Sequence, residues 1–415
     1  MNNKALEIVN NCEKKLKKTF DLIDNAALNN QKKVLDAFRK NNVAARHFAG
    51  TNGYGYDDIG RDTLCRLFAD VLGSEDAIVS PLLVSGTHAI STMLFGVLRP
   101  NDKFVAISGM PYDTLTDVIL GKNIGSLDDY GIKFDKIDLI VTPQTVEFDT
   151  AKIEQLLLKN DDIKMVFIQR SRGYNWRSAL SCNQIADIVK TVKSISPKTI
   201  VAVDNCYGEF VEEQEPLNVG ADIMAGSLIK NIGGGIAPTG GYIAGRKDLI
   251  EMCGYRLTAP SIGMEVGSYA YGYPQMYEGL FLAPSVVKNA LKACCLFSAA
   301  YRSLGFDTQP DCDVTRPYDI VTSIRFNDSK SLIDFIRSIQ GVSPVDSNLL
   351  LEPWDMPGYQ HQVIMAAGTF VQGSSIELSA DAPIKEPYIA YVQGGLTYEH
   401  AKIAVIESLE RLKLV

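Results

Sequence analysis

The sequence predicts an α/β protein: a large domain built on a mostly parallel sheet, then a smaller C-terminal α+β domain. Three observations carry this. Short, nearly all-apolar runs such as Phe104–Ile107, Met165–Ile168 and Thr199–Val203 alternate with stretches of helical periodicity. Strands buried on both faces and separated by helices belong to parallel sheets. After Pro284 the alternation gives way to segments of antiparallel character, and 415 residues are enough for two domains.

Residues 1–50 have helical periodicity with many Lys and Asn and read as a surface arm. GTNGYGYDDIGRDT (50–63) is a glycine- and tyrosine-rich loop that leads into a helix around Leu64–Leu72. We therefore divide the chain into an arm and loop (1–60), a large domain (61–284) and a small domain (285–415). The uncharged run from Ala77 to Leu98 is long enough to mimic a membrane span. Pro81 and Ser85-Gly86-Thr87-His88 interrupt it, so it reads as strand, turn and buried helix, with Ile90, Met93, Leu94 and Val97 on one face.

Strand Phe104–Ile107 is followed by the turn Ser108–Pro111, and Asp138–Val141 by a helix from the cap Asp149 through Leu158. Then come Met165–Ile168, a helix near Gln184–Ile195, Thr199–Val203, Ile223–Ala225 and Tyr242–Ala244. In the small domain a helix over Ser285–Leu304 precedes strands at Asp319–Phe326, Val363–Gly368 and Ser375–Ser379. Tyr398–Leu412 closes the chain as a helix.

Composition removes several function classes. With Lys+Arg 41 against Asp+Glu 49, the net charge of −8 offers no general attraction to nucleic acid or anionic membrane. The first twenty residues lack the apolar core of a signal peptide, which makes a cytoplasmic protein the expectation. Eight cysteines form no CxxC pair and four histidines are widely spaced. Reduced, packed thiols and no metal centre follow.

Ligands bind parallel sheets at the carboxyl ends of the strands, so the residues there matter most. Ser85-Gly86-Thr87 opens a helix. Alone it reads as a cap; it could also cradle a phosphate on the positive helix end. Neither GxxxxGK[ST] nor GxGxxG is present. Pro111-Tyr112 follows one strand, Gln169-Arg170-Ser171-Arg172 another, and Asp204 ends a third. Lys230 stands alone in the glycine-dense GSLIKNIGGG. Each has a bland reading: rim packing for Tyr112, a turn for Asp204, a snorkelling side chain for Lys230. Together they match what pyridoxal 5′-phosphate requires. The lysine forms a Schiff base, burial favouring its neutral form. The acid keeps the pyridine nitrogen protonated, and the tyrosine stacks on the ring.

Ser85-Gly86-Thr87, Pro111-Tyr112, DNCYGEF (204–210), SLIKNIGGG (227–235), TGGYIAGR (239–246) and SSIELSADAP (374–383) resemble fold type I pyridoxal-phosphate enzymes, of the aspartate aminotransferase-like fold. Within these, the chain is similar to the methionine γ-lyase-like branch of the cystathionine γ-synthase-like group, often labelled aluminium-resistance proteins. The likeness covers nearly the whole chain. It implies a lyase that eliminates a thiol from a sulfur-containing amino acid; the same carbanion would also serve transamination or aldol cleavage, and a non-catalytic pyridoxal-phosphate-binding protein is a third reading. It implies Lys230 as the Schiff-base lysine, Asp204 as the pyridine acid, Tyr112 as the stacking ring, and Gly86, Thr87 and Ser227 around the phosphate. Tyr56 and Arg61, with Tyr54 competing for the tyrosine's role, would reach a neighbouring subunit's phosphate, making the protein a homo-oligomer. The group's substrate-clamping arginine falls near Glu377. Arg172 and Arg170 are the candidates to replace it, with a surface salt bridge the competing reading for both. Tyr269, Tyr271 and Tyr273 read as interface or channel packing, Tyr174 and Trp176 as a cover for the pocket mouth, and Cys206 as packed.

Overall fold

The computed structural model describes residues 3–142, 145–312, 315–356 and 360–414. The chain begins with α1 (Asn3–Lys40) and α2 (Ile59–Leu72), followed by β1 (Asp76–Ser80), α3 (Gly86–Val97), β2 (Lys103–Ala106), α4 (Asp113–Leu120) and β3 (Lys133–Lys136). A two-strand ribbon, β4 (Ile140–Val141) and β5 (Val146–Glu147), leads to α5 (Thr150–Lys159). Then come β6 (Ile163–Gln169), α6 (Cys182–Ile195), β7 (Ile200–Asp204), β8 (Ile223–Ser227), β9 (Gly241–Gly245) and α7 (Lys247–Leu257). The long α8 (Pro274–Ser303) is followed by β10 (Thr308–Gln309), β11 (Val321–Phe326), α9 (Ser329–Gln340), β12 (Val363–Ala366), β13 (Ser379–Pro383), β14 (Tyr388–Gln393) and α10 (Tyr398–Arg411).

The large sheet has seven strands in the order β1-β9-β8-β7-β6-β2-β3, and β9 alone runs against the rest. The other six deliver their carboxyl ends to one edge. Strand side chains alternate between faces, and here each face has its own core. Val105, Val166, Ile168, Val201 and Val203 pack with α2, α5, α6 and α8. Phe104, Met165, Phe167, Ile200, Ala202 and Ala225 pack with α3, α4 and α7. The five-stranded antiparallel sheet, β10-β11-β14-β13-β12, covers a third core with α9 and α10.

Several expectations need correction. The third strand beside β2 is Lys133–Lys136, whereas Ile140–Val141 lies in the exposed ribbon. Residues 375–378 are not a strand; the sheet uses Ser379–Pro383 and the unanticipated β14 between β11 and β13. α8 starts at Pro274 and passes through Pro284, so the boundary placed at 284/285 falls inside a continuous helix. α1 is not merely a surface arm, because Val9, Leu16, Ile23 and Val34 on one stripe are buried. α8 is long and apolar enough to cross a membrane, yet Leu280, Val287 and Leu291 are buried in the large-domain core.

Candidate active site

The two-residue period of the sheet decides which residues meet. Gln169 shares the parity of Met165 and Phe167, Asp204 that of Ile200 and Ala202, and Ser227 that of Ile223 and Ala225. All three therefore lie on the α3 side, at the carboxyl edge. There a cavity is lined by Gly86, Thr87, Tyr112, Gln169, Asp204 and Lys230, and by residues of the small domain.

α3 begins on this cavity. Ser85 is its cap, the hydroxyl accepting from the His88 N–H at 3.0 Å. The first N–H groups of a helix lack intrahelical acceptors and carry the positive end of its dipole. A Cβ on Gly86 would stand 3.2 Å from both Cys206 Sγ and Ser227 Cβ, so the backbone there approaches β8 closely. Ser227 is buried, and its hydroxyl has no hydrogen-bond partner. A buried hydroxyl left unpaired is costly, and beside a helix N-terminus it suits an anion such as phosphate.

Lys230 stands three residues after the end of β8. Gly234 admits α8, since a Cβ there would meet the Gly279 carbonyl at 2.4 Å, and Gly233 admits the local turn, since a Cβ there would meet the Leu228 carbonyl at 1.7 Å. Lys230 Nζ stands 4.1 Å from the Tyr207 ring centroid. Tyr207 holds φ at +71°, a left-handed conformation uncommon outside glycine. Burial pushes the Lys230 ammonium down, and the charge of nearby Asp204 pushes it back up, so that on balance it is raised. The expectation that burial leaves this amine neutral is thus reversed. Burial raises the Asp204 carboxyl, offset by the Lys230 charge and by the Cys206 N–H, which donates to Oδ1 at 3.0 Å. Burial, with Asp204 nearby, also raises the Cys206 thiol far above its ordinary range, so it stays protonated and packed.

Tyr112 caps α4, its backbone N–H donating to Gln169 Oε1 at 2.6 Å. Its ring meets Tyr174 edge-on at 5.8 Å, and Tyr174 meets Tyr391 at 5.0 Å. This aromatic row joins the two domains across the cavity. Trp176 packs behind it with Arg325 over its ring. From the small domain Asp381, Tyr391 and Gln393 complete the lining. A second cavity shares Tyr112, Gln169, Gly173 and Tyr174 with the first, and carries Lys385 and His361.

Both substrate-arginine candidates fail on geometry. Arg170 and Arg172 have the opposite parity to Gln169 and are fully buried away from the cavity. Arg170 is bound by Glu212, Glu215, Asn205 and two carbonyls. Arg172 makes a two-point pair with Asp319, at 3.1 and 2.9 Å, and donates to the Gln309 carbonyl. Each is a buried structural pair, not a surface bridge. Glu377 does not face the cavity; it accepts from the Phe370 and Val371 N–H groups. Arg61 is buried elsewhere, donating to Asp62 and to the carbonyls of Gly55 and Gly267. Tyr54 and Tyr56 are exposed and contact each other. None of these three lines the cavity within one chain. Tyr273 donates to Asp58 at 2.8 Å, so the tyrosines at 269–273 fasten the 50–58 loop.

Sequence reasoning missed Tyr207, Gln169, Asp381 and Gln393. Parity at the end of β6 would have chosen Gln169 over Arg170. Tyr207 sits inside DNCYGEF, three residues after Asp204, in the turn that follows β7. Asp381 and Gln393 arrive from a sheet about 150 residues downstream of Lys230 (381 − 230 = 151) and carry no local mark.

A family model described as methionine γ-lyase matches residues 5–413. The chain belongs to this family. A structure from Clostridium acetobutylicum, described as a proposed cystathionine β-lyase involved in aluminium resistance, is 49% identical and covers 99% of this chain and 96% of its own, with a TM-score of 0.95. A carbon–sulfur lyase involved in aluminium resistance from Clostridium novyi is 48% identical over 99% and 96% of the two chains, TM-score 0.94. The Bacillus subtilis protein YnbB is 48% identical over 393 residues, 94% of this chain and 92% of its own. The family model and these relatives are named as lyases, and the cofactor expected from the sequence is pyridoxal phosphate. The residues present fit that group: an amine, a buried acid, and a partnerless hydroxyl beside a helix N-terminus.

Proposed function

We propose that the protein is a pyridoxal-phosphate-dependent carbon–sulfur lyase that eliminates a thiol from a sulfur-containing amino acid. The convergence of Lys230, Asp204 and the α3 N-terminus on one cavity is the observation that carries this reading. Lys230 would hold the cofactor aldehyde, Gly86, Thr87 and Ser227 its phosphate, and Asp204 its pyridine nitrogen. When bound, the cofactor supplies an electron sink for the charge left at the substrate Cα.

The chain's own residues do the rest. Lys230 Nζ would take the Cα proton of the bound substrate. Tyr112 is held over the site by the bond from its N–H to Gln169, and its phenol hands a proton to the departing sulfur. β13 and β14 line the cavity from the small-domain side. Balanced overall, thioether amino acid and water become thiol, 2-oxo acid and ammonia. Tyr56 and Arg61 would serve the phosphate of a partner subunit in a homo-oligomer.

The test is to incubate cofactor-loaded protein with L-cystathionine, L-cysteine and L-methionine. Stoichiometric thiol, oxo acid and ammonia support the reading. Pyridoxamine phosphate formed without thiol release would replace elimination by transamination.

A further inference from the structure

On the small-domain side of the cavity stands a carboxylate that the chemistry above does not use. Asp381 lies in the middle of β13, paired with Tyr391 of β14, and lines the same cavity as Lys230. Gln393 Nε2 donates to its Oδ2 at 3.2 Å. It forms no ion pair with Lys, Arg or His among the described residues, and no arginine is among the residues lining the cavity. A carboxylate so placed is costly unless a cation meets it.

Building on the lyase reading, we propose that Asp381 is a specificity residue that binds an ammonium group at the far end of the substrate side chain. The substrate class is then α-amino acids whose thioether arm ends in an amine. Cystathionine is one member; S-(2-aminoethyl)-L-cysteine is a simpler one.

Three features support this. Gln393 fixes one oxygen of the carboxylate and so its direction. Tyr391 and Tyr174 form walls beside it, and aromatic faces also favour cations. Burial lifts the carboxyl to about 6, with Gln393, Tyr174 and the Lys230 charge pulling it back, so it is ionised at neutral pH.

Binding and turnover separate this proposal from the one it rests on. L-Lysine and L-norleucine differ at the chain end by an ammonium and contain no sulfur. Calorimetric titration of the cofactor-loaded protein should give tighter binding of L-lysine, by about 10–100-fold for a charge-assisted contact. Asp381→Asn should abolish that preference while leaving L-norleucine affinity within about twofold. Asp381→Glu should retain part of it. Equal binding of the two ligands by the wild type, or an unchanged preference in Asp381→Asn, would overturn the proposal. A variant that weakens both ligands alike would do so too, by showing that Asp381 only supports Lys230. Turnover of S-(2-aminoethyl)-L-cysteine against S-propyl-L-cysteine then reports on the lyase. If lysine binds selectively through Asp381 but neither thioether is cleaved, the ammonium site stands and the elimination chemistry falls.

Discussion

Ser227 and Glu209 show what single buried groups disclose. The Ser227 hydroxyl is buried without a partner, so Ser227→Ala should hardly alter folding stability. It should raise the dissociation constant for pyridoxal phosphate roughly tenfold, the loss of one hydrogen bond to a charged group; titration of cofactor-free protein measures this. Glu209 is fully buried, accepts from the Tyr242 hydroxyl at 2.8 Å and is lifted by burial to about 8. The folded protein therefore keeps a proton that the unfolded chain releases near its ordinary 4.5. Stability should fall as pH rises from about 4.5 to 8 and level off above. Glu209→Gln should flatten that slope in urea unfolding series at several pH values. An unchanged slope would mean that Glu209 is ionised in the fold. Lys230 and Asp204 were legible in the sequence because each is a charge set against apolar neighbours. Arg170 and Arg172 misled because charge was read there without strand parity.

At the level of elements, the parallel core announced itself: β6 and β7 are nearly all apolar, as strands covered on both faces must be. β3, KFDK, sits at the sheet edge with charged residues exposed, so it lacks that signature. α8 was cut short because proline ordinarily ends a helix, whereas the structure carries Pro284 inside it. The Arg172–Asp319 pair ties the loop after β6 to the residues before β11. Removing one member of a buried pair strands the other, at about 3–5 kcal/mol. Arg172→Met should lose that much in denaturant unfolding while its KM for a cleaved amino acid stays within about twofold. A large rise in KM without loss of stability would restore the substrate-binding role.

For the whole molecule, one chain gathers Lys230, Asp204, Tyr112 and Ser227 at one sheet edge but leaves Arg61 and Tyr56 elsewhere. If they complete a partner's site, Lys230→Ala and Arg61→Ala should each be inactive alone. Subunits of the two mixed after dissociation should regain activity, because one hybrid site is intact. Activity that never returns, from a protein shown to have exchanged subunits, would place both residues in a structural role. The fold and the anchor of the site were therefore readable from local pattern. The cover of the site was not, because it depends on pairing between segments far apart in the chain.

The most direct measurement is the visible absorbance of purified, cofactor-saturated protein before and after borohydride, with peptide mapping, beside Lys230→Ala. The account predicts a yellow wild type that bleaches on reduction and carries the cofactor on the Lys230 peptide, with no such adduct in the variant. A colourless wild type, or the same fixed adduct in Lys230→Ala, would contradict it.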